Sequence, residues 1–234
     1  MTGTVVHMAG TGTPPSRPSG TPTSLDRTLQ LVGDRWSILI IRAALRGVRR
    51  FDDFCADLGG EVIVVGSPKQ RSLADGVTPA QGWAWMAETF RPSIKRAEER
   101  GVTICLEHLN TRDGSHPMKG HPGYQGDDID YVANICRRVG SPRVKLLFDI
   151  YHVQIMDGDV VRTMRDNLKY ISHIHVAGVP SRTEIDETNE LNFKFIAKAI
   201  ADSGYNGFVA HEWRPAMGND PIKSLEKCFE IMNV

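Results

Sequence analysis

The feature that most constrains the fold is an alternation of short apolar runs and longer helical stretches from Gly60 onward. Each apolar run spans only a few residues, and turn residues or a helical pattern separate it from the next. Short buried strands that alternate with helices favour parallel pairing through βαβ crossovers. The predicted strands are 62–65, 102–106, 144–148, 171–176 and 208–210, and the predicted helices are 79–100, 128–139, 160–167, 193–203 and 223–232. The sequence therefore predicts an α/β fold with about five parallel strands.

The chain before this alternating region has a different texture. Residues 1–23 consist mostly of Gly, Pro, Ser and Thr, which predicts a disordered leader and does not fit a secretory signal. In residues 24–53, apolar side chains recur with the period of one helical face, which predicts a short helical segment. Helical pattern continues to Leu58, and the main domain is predicted over residues 54–234.

Composition excludes several classes of protein. The 234 residues carry a formal net charge of +0, so no global charge favours binding to nucleic acid or to a membrane surface. No apolar run approaches the roughly 20 residues that a membrane span needs. The four cysteines lie far apart without metal-ligand spacing, which favours reduced thiols and a cytoplasmic protein.

Polar residues stand at or just beyond the ends of four successive predicted strands: Glu107, Asp149, His175 and Glu212. The carboxyl ends of parallel strands meet at one face of a sheet or barrel, where active sites of such folds lie. Three carboxylates and one imidazole suit a divalent ion such as Mg²⁺ or Mn²⁺. Such an ion and two glutamates would serve an isomerase or epimerase that moves a proton between adjacent carbons. For each residue alone, a helix cap or a solvated loop residue is the alternative.

Three further residues are candidates for contact with a substrate. His152 follows Asp149 by three positions, and an exposed loop histidine is the alternative interpretation. Arg182 and Arg214 could hold hydroxyls or a carboxylate, with a surface salt bridge as the alternative for each.

Residues from about 51 to 234 resemble the xylose isomerase-like TIM barrels of the sugar-phosphate isomerase/epimerase superfamily, and within it hydroxypyruvate isomerase-like proteins. The matching blocks are VIVVGSPKQRS at 62–72, ICLEHLNTRD at 104–113, KGHPGYQGDD at 119–128, KLLFDIYHVQIMDGD at 145–159, HIHVAGVPSRTEIDETNELNF at 173–193 and GYNGFVAHEWRP at 204–215. The resemblance implies metal ligands at the four strand-end residues, an acid/base pair at Glu107 and Glu212, and substrate contacts from His152 and Arg182.

A complete (β/α)₈ barrel typically needs about 250 residues and eight strands. By the family pattern, the first three βα units are missing before Val62. The prediction is therefore an incomplete (β/α)₈ TIM barrel preceded by a short helical segment. In that segment, SLDRTLQLVGDRWSILIIRAALRGVRRFDDF resembles the start of HxlR-type winged-helix regulators, without their recognition helix.

Three functions follow as hypotheses. The first is a metal-dependent isomerase or epimerase of a small sugar or hydroxy-carbonyl compound, with a homo-oligomer left open. The second is a non-catalytic remnant that still binds metal, because the missing units would normally supply part of the substrate wall. The third is a DNA-binding regulator with a sugar-sensing domain, against which the absent recognition helix weighs.

Overall fold

The computed structural model describes residues 59–66 and 71–234. The leader predicted over 1–23 and the helices predicted between residues 24 and 58 lie outside these ranges. The two-domain boundary near residue 53 therefore stays a prediction.

The described part of the chain contains one sheet of five parallel strands whose spatial order is the same as their order in the sequence. The strands are β1 (Val62–Val65), β2 (Thr103–Glu107), β3 (Val144–Asp149), β4 (Ile171–Val176) and β5 (Phe208–His211). The sheet curls into a half-barrel with helices, which confirms the predicted α/β class and the partial TIM-barrel fold.

The described ranges contain six α-helices, five in the connections between strands and one after β5. They are α1 (Pro79–Arg100), α2 (Ile129–Val139), α3 (Ile150–Met156), α4 (Val160–Asn167), α5 (Phe193–Asp202) and α6 (Pro221–Met232), and a 3₁₀ turn (Leu168–Tyr170) follows α4. At the start of α1, Thr78 and Gln81 form a reciprocal capping box, and Gly101 ends the helix at a φ of 71°. These local signals explain why the predicted bounds of α1 agree with the structure.

Helix α3 was not predicted, although it immediately follows the third strand. Its residues, IYHVQIM, form a nearly continuous apolar run, which continues the apolar pattern of the strand. The helix can begin directly after the strand because the side chain of Asp149 caps its first turn. One residue thus ends β3 and starts α3.

The main core lies between the sheet and the helices. Leu106, Leu146, Phe148 and Ile174 are completely buried and belong to one apolar cluster with side chains of the helices. Burial of each side chain of this size contributes roughly 1.5–3 kcal/mol to folding. The residues between them along the strands point to the opposite, concave face.

Strand register brings the polar strand ends to one level. Glu107 pairs with Leu147, two residues before Asp149, and Asp149 pairs with His175. His175 in turn pairs with Ala210, two residues before Glu212. Because each offset is zero or two residues, all four side chains stay on the same face of the sheet.

None of the described helices has the length and apolar character needed to span a lipid bilayer.

Candidate metal centre

Four side chains at the carboxyl ends of β2 to β5 form a compact cluster: Glu107, Asp149, His175 and Glu212. Each offers one ligand atom, and these atoms all lie within 4.8 Å of one another. Nδ1 of His175 lies 3.1 Å from Oε2 of Glu212, 3.9 Å from Oε1 of Glu107 and 4.0 Å from Oδ2 of Asp149. The structure therefore brings together all four residues that the strand ends predicted.

Asp149 is held in place by its own chain. Its Oδ1 accepts hydrogen bonds from the main-chain amides of Tyr151, at 2.8 Å, and His152, at 3.2 Å. These two amides are free donors of the first turn of α3. The other oxygen, Oδ2, is thereby left to face the cluster.

Glu107 is 5% exposed and lies against the main chain that follows β1. A Cβ atom at Gly66 would come within 2.7 Å of Oε2 of Glu107. Glycine at this position therefore leaves the space that the Glu107 carboxylate occupies.

Arg182 reaches into the cluster from the loop after β4. Its Nη2 lies 3.2 Å from Oδ2 of Asp149 and also donates a short hydrogen bond to Oε2 of Glu212. The guanidinium carbon lies 4.9 Å from the ring centre of Tyr151, a cation–π distance. The residue itself has a φ of 54°, in the left-handed region, and its amide donates to the carbonyl of Gly178 at 2.7 Å.

His152 lies beside the cluster and is completely buried. Its Nε2 lies 2.6 Å from Nη1 of Arg182, 3.7 Å from Oδ2 of Asp149 and 3.9 Å from Oε1 of Glu107. On the other side of the ring, Nδ1 faces Asn110. The alternative of an exposed loop histidine is therefore wrong, and the contact of His152 with a substrate stays a prediction.

The electrostatics of the two glutamates differ. Burial first, and then the charges of Asp149 and Glu212, raise the pKa of Glu107 from 4.5 to about 8. Burial alone would also raise the pKa of Glu212, but the hydrogen bond with His175 and the charge of Arg182 lower it overall. The cluster thus holds one carboxyl group that keeps a proton near neutral pH and one that releases it readily.

The two histidines also differ. Burial lowers the pKa of His175, but the hydrogen bond with Glu212 and the charge of Asp149 outweigh that effect, so the pKa is raised. Burial and the neighbouring charge of Arg182 hold the pKa of His152 well below its usual value. His152 is therefore a neutral ring at physiological pH.

The donor set fits a divalent ion. Without an ion, Glu107 avoids repulsion from Asp149 and Glu212 by keeping its proton, whereas a dication would compensate the charge of all three groups as carboxylates. Oxygen-rich ligands with a single imidazole and no thiolate favour Mg²⁺ or Mn²⁺ over a structural zinc ion. Glu107, Asp149, His175 and Glu212 are the residues that would hold it.

Arg214, the third predicted substrate contact, lies apart from the cluster. Its side chain is exposed, and its Nη1 is 3.1 Å from Nε2 of His116. Its main-chain amide donates to the carbonyl of Arg182 at 3.1 Å, which ties the loop after β5 to the loop after β4.

Two buried polar residues near the site were missed by sequence reasoning. Arg71 donates to the carbonyls of Gly66, at 2.5 Å, and Gln125, at 2.7 Å, and so links the end of β1 to the loop after β2. Asn110 follows β2 and contacts His152. Both lie within the blocks that carry the family resemblance. Neither stands at the end of a predicted strand, the position that indicated the four residues of the cluster.

A fold of this kind with such a cluster defines a class of barrel enzymes. The family model for xylose isomerase-like TIM barrels matches residues 40–228, and the chain belongs to this family. The match begins inside the segment 24–53, and the resemblance of that segment to a winged-helix regulator is not borne out.

The curated relatives of the chain include isomerases. It is 34% identical over 160 residues to a 2-oxo-tetronate isomerase of Cupriavidus necator, a match that covers 66% of this chain and 58% of the relative. It is 39% identical over 138 residues to a putative human hydroxypyruvate isomerase, covering 59% of this chain and 47% of the relative. The chain thus spans about half the length of the curated relatives it matches.

Among solved structures, an AP endonuclease, family 2, of Brucella melitensis superposes with a TM-score of 0.65 at 26% identity. The superposition covers 85% of this chain and 70% of that one.

Proposed function

We propose that this protein is a metal-dependent isomerase, or epimerase, of a small sugar or hydroxy-carbonyl compound, similar to hydroxypyruvate isomerase. The observation that carries the proposal is the convergence of Glu107, Asp149, His175 and Glu212, whose ligand atoms lie within 4.8 Å of one another. The relatives named 2-oxo-tetronate isomerase and hydroxypyruvate isomerase support the choice of substrate class.

The two glutamates would move the proton. Glu212, the more acidic of the two, would take a proton from the carbon beside the substrate carbonyl and leave an enediolate. Glu107 would deliver a proton: in an isomerase to the adjacent carbon, while the hydroxyl proton passes from one substrate oxygen to the other, and in an epimerase to the opposite face of the same carbon. Pairs of carboxyl groups whose environments push their pKa values apart are typical of such acid and base roles.

A bound Mg²⁺ or Mn²⁺ would supply positive charge to stabilise the oxygens of the enediolate. Asp149 and His175 would help to hold this ion, and neither needs to exchange a proton with the substrate. His152 and Arg182 would hold substrate oxygens beside the cluster. Arg214 would act at the outer edge of the site, where it could attract a carboxylate.

The proposal is tested by proton exchange at carbon. Incubated with hydroxypyruvate and Mn²⁺ in D₂O, the protein should exchange carbon-bound hydrogen for deuterium, followed by proton NMR. Glu212→Gln should lower the exchange rate by about 10²-fold or more. Glu226→Gln, which changes an exposed glutamate of α6, is the matched control and should retain the rate.

A second candidate function is a non-catalytic remnant that still binds the ion. Mn²⁺ binding without deuterium exchange on hydroxypyruvate or on a panel of ketoses would support the remnant. Equal Mn²⁺ binding by the native protein and by Glu212→Gln would contradict the ligand set itself.

We also propose that the protein is cytoplasmic. Cys105, Cys136 and Cys228 are buried and unpaired, and burial raises the pKa of Cys105 to about 12. Inert reduced thiols of this kind suit a cytoplasmic protein. Whether copies of the chain form a homo-oligomer would follow from its mass in solution.

A further inference from the structure

The contacts of His152 indicate which of its two ring nitrogens carries the proton. A neutral imidazole has one N–H donor and one acceptor nitrogen. Around His152, however, both nitrogens face hydrogen-bond donors. Asn110 approaches Nδ1 with its main-chain amide, at 3.1 Å, and with Nδ2, at 2.7 Å. Arg182 approaches Nε2 with Nη1, at 2.6 Å.

The donors on the Nδ1 side are fixed. The main-chain amide of Asn110 cannot turn away without a change of backbone. The side-chain amide is oriented by two further bonds: Nδ2 donates to the carbonyl of Lys119 at 2.6 Å, and Oδ1 accepts from the amide of Asp113 at 3.0 Å. The amide therefore cannot flip to present its oxygen to the ring without losing both bonds.

The donor on the Nε2 side is not fixed in the same way. Nη1 of Arg182 stands at the end of a long side chain whose other nitrogen, Nη2, reaches Asp149 and Glu212. Rotation of side-chain bonds in Arg182 can relieve the contact at Nε2, whereas the contact at Nδ1 can be relieved only by a change of backbone.

We propose that Asn110 is a positioning residue that fixes His152 as the tautomer with Nδ1 free of hydrogen and the proton on Nε2. His152 then presents a neutral N–H donor toward the side of the ring where Glu107 and Asp149 lie, at 3.9 and 3.7 Å from Nε2.

At 2.6 Å this donor and Nη1 of Arg182 repel each other, so the guanidinium has to move away from the ring, and both donors can then face a shared acceptor. A carbonyl or hydroxyl oxygen of the substrate would supply that acceptor, and it would receive hydrogen bonds from both residues. This last step rests on the proposed isomerase function. The tautomer of His152 does not.

Nitrogen-15 NMR of protein labelled at histidine reads the tautomer directly, with His152→Asn to assign the signal. In the native protein, Nδ1 of His152 should give the shift of an unprotonated nitrogen and Nε2 that of a protonated one. Asn110→Asp replaces the Nδ2 donor by a carboxylate oxygen close to Nδ1, so the proton should move to Nδ1. Asn110→Ser is the matched control: the main-chain donor remains, and Nδ1 should stay unprotonated.

Deuterium exchange on hydroxypyruvate is measured on the same proteins. Asn110→Asp should lower kcat by roughly 10²-fold with a smaller change in KM, and Asn110→Ser should affect kcat less. A proton on Nδ1 in the native protein would overturn the assignment, and an unprotonated Nδ1 in Asn110→Asp would overturn the role of the Asn110 side chain by showing that the main-chain amide alone fixes the tautomer. Should Asn110→Asp fail to fold by circular dichroism, the native spectrum alone decides. If NMR shows the expected tautomers but no protein exchanges deuterium into the substrate, the proposed function is contradicted and the positioning role of Asn110 stands.

Discussion

Asp149 accepts a hydrogen bond from the main-chain amide of His152 through Oδ1, at 3.2 Å, while its Oδ2 lies 3.2 Å from Nη2 of Arg182. One carboxylate therefore both starts helix α3 and supplies charge to the cluster. The two functions can be separated, because an asparagine retains an oxygen that accepts from the helix but brings no negative charge.

Asp149→Asn should lose most of its affinity for Mn²⁺ and keep the helix start. Asp149→Ala should lose both, and its free energy of unfolding should lie about 1 kcal/mol below that of Asp149→Asn because the cap is gone. Titration calorimetry with Mn²⁺ and urea unfolding measure the two effects. Native-like Mn²⁺ affinity in Asp149→Asn would exclude this carboxylate as a ligand.

The pH dependence of stability should reflect Glu107. The folded protein holds a proton on this residue, whose pKa is raised from 4.5 to about 8, whereas the unfolded chain has already released it at neutral pH. Binding of this proton therefore stabilises the folded state relative to the unfolded state. The contribution is fully present below pH 4.5 and is lost as the pH rises towards 8. His175, with a pKa raised above 6.5, acts in the same direction.

Four histidines act in the opposite direction just above pH 6.5, because burial lowers the pKa of His121, His152, His173 and His211 in the folded state while the unfolded chain still holds part of their protons. The contribution of Glu107 is therefore isolated by comparing two proteins that share these histidines. In EDTA between pH 6.5 and 8, the free energy of unfolding of the native protein should fall relative to that of Glu107→Gln, with a difference in slope of up to about 1.4 kcal/mol per pH unit. Urea unfolding at several pH values measures the slope. The same slope in both proteins would show that Glu107 is ionised throughout.

Gly66→Ala should weaken metal binding by displacing a ligand. The new methyl group would lie 2.7 Å from Oε2 of Glu107, so the carboxylate must move. We expect Mn²⁺ affinity to fall by about 10-fold or more, as is common when the groups that orient a ligand are disturbed. Circular dichroism of the same variant checks that the fold is retained. Unchanged affinity would mean that Glu107 can turn without leaving the ion.

Arg182→Gln should make the protein depend more on metal for its stability. The guanidinium contacts both Asp149 and Glu212, and its loss leaves these two carboxylates to repel one another without a cation between them. The melting temperature in EDTA should fall, and saturating Mn²⁺ should raise it by more than it raises that of the native protein.

Arg162→Gln is the control for this variant, because Arg162 forms only an exposed ion pair with Asp159. Its melting temperature should be close to the native value with and without Mn²⁺. An equal Mn²⁺ effect in Arg182→Gln and the native protein would contradict the inference that Arg182 balances the charge of the cluster.

Much of the fold was predictable because the signals are local. The bounds of β1, α1 and α4 agree with the predicted ones. Helix α6 begins at Pro221, two residues before its predicted start, although Asp220 and Pro221 form an ordinary N-cap and first-turn pair. Strand β2 extends to Glu107, so this residue belongs to the strand rather than following it.

The site was predictable only to the extent that strand ends converge by topology. Glu107, Asp149, His175 and Glu212 come together because parallel strands place their carboxyl ends on one side. Asn110 could not be found in this way, because its role depends on how a loop folds back onto another strand end. Such contacts depend on tertiary packing, which residue spacing does not encode.

All four charged groups of the centre come from β2 to β5, between residues 107 and 212. One uninterrupted stretch of coding sequence therefore carries the whole ion-binding chemistry. A genetic exchange that replaces what is encoded upstream of this stretch leaves those four codons in phase and in order. Such an exchange would still have to keep Gly66, which leaves the space for the Glu107 carboxylate, and Arg71, which bonds to Gly66.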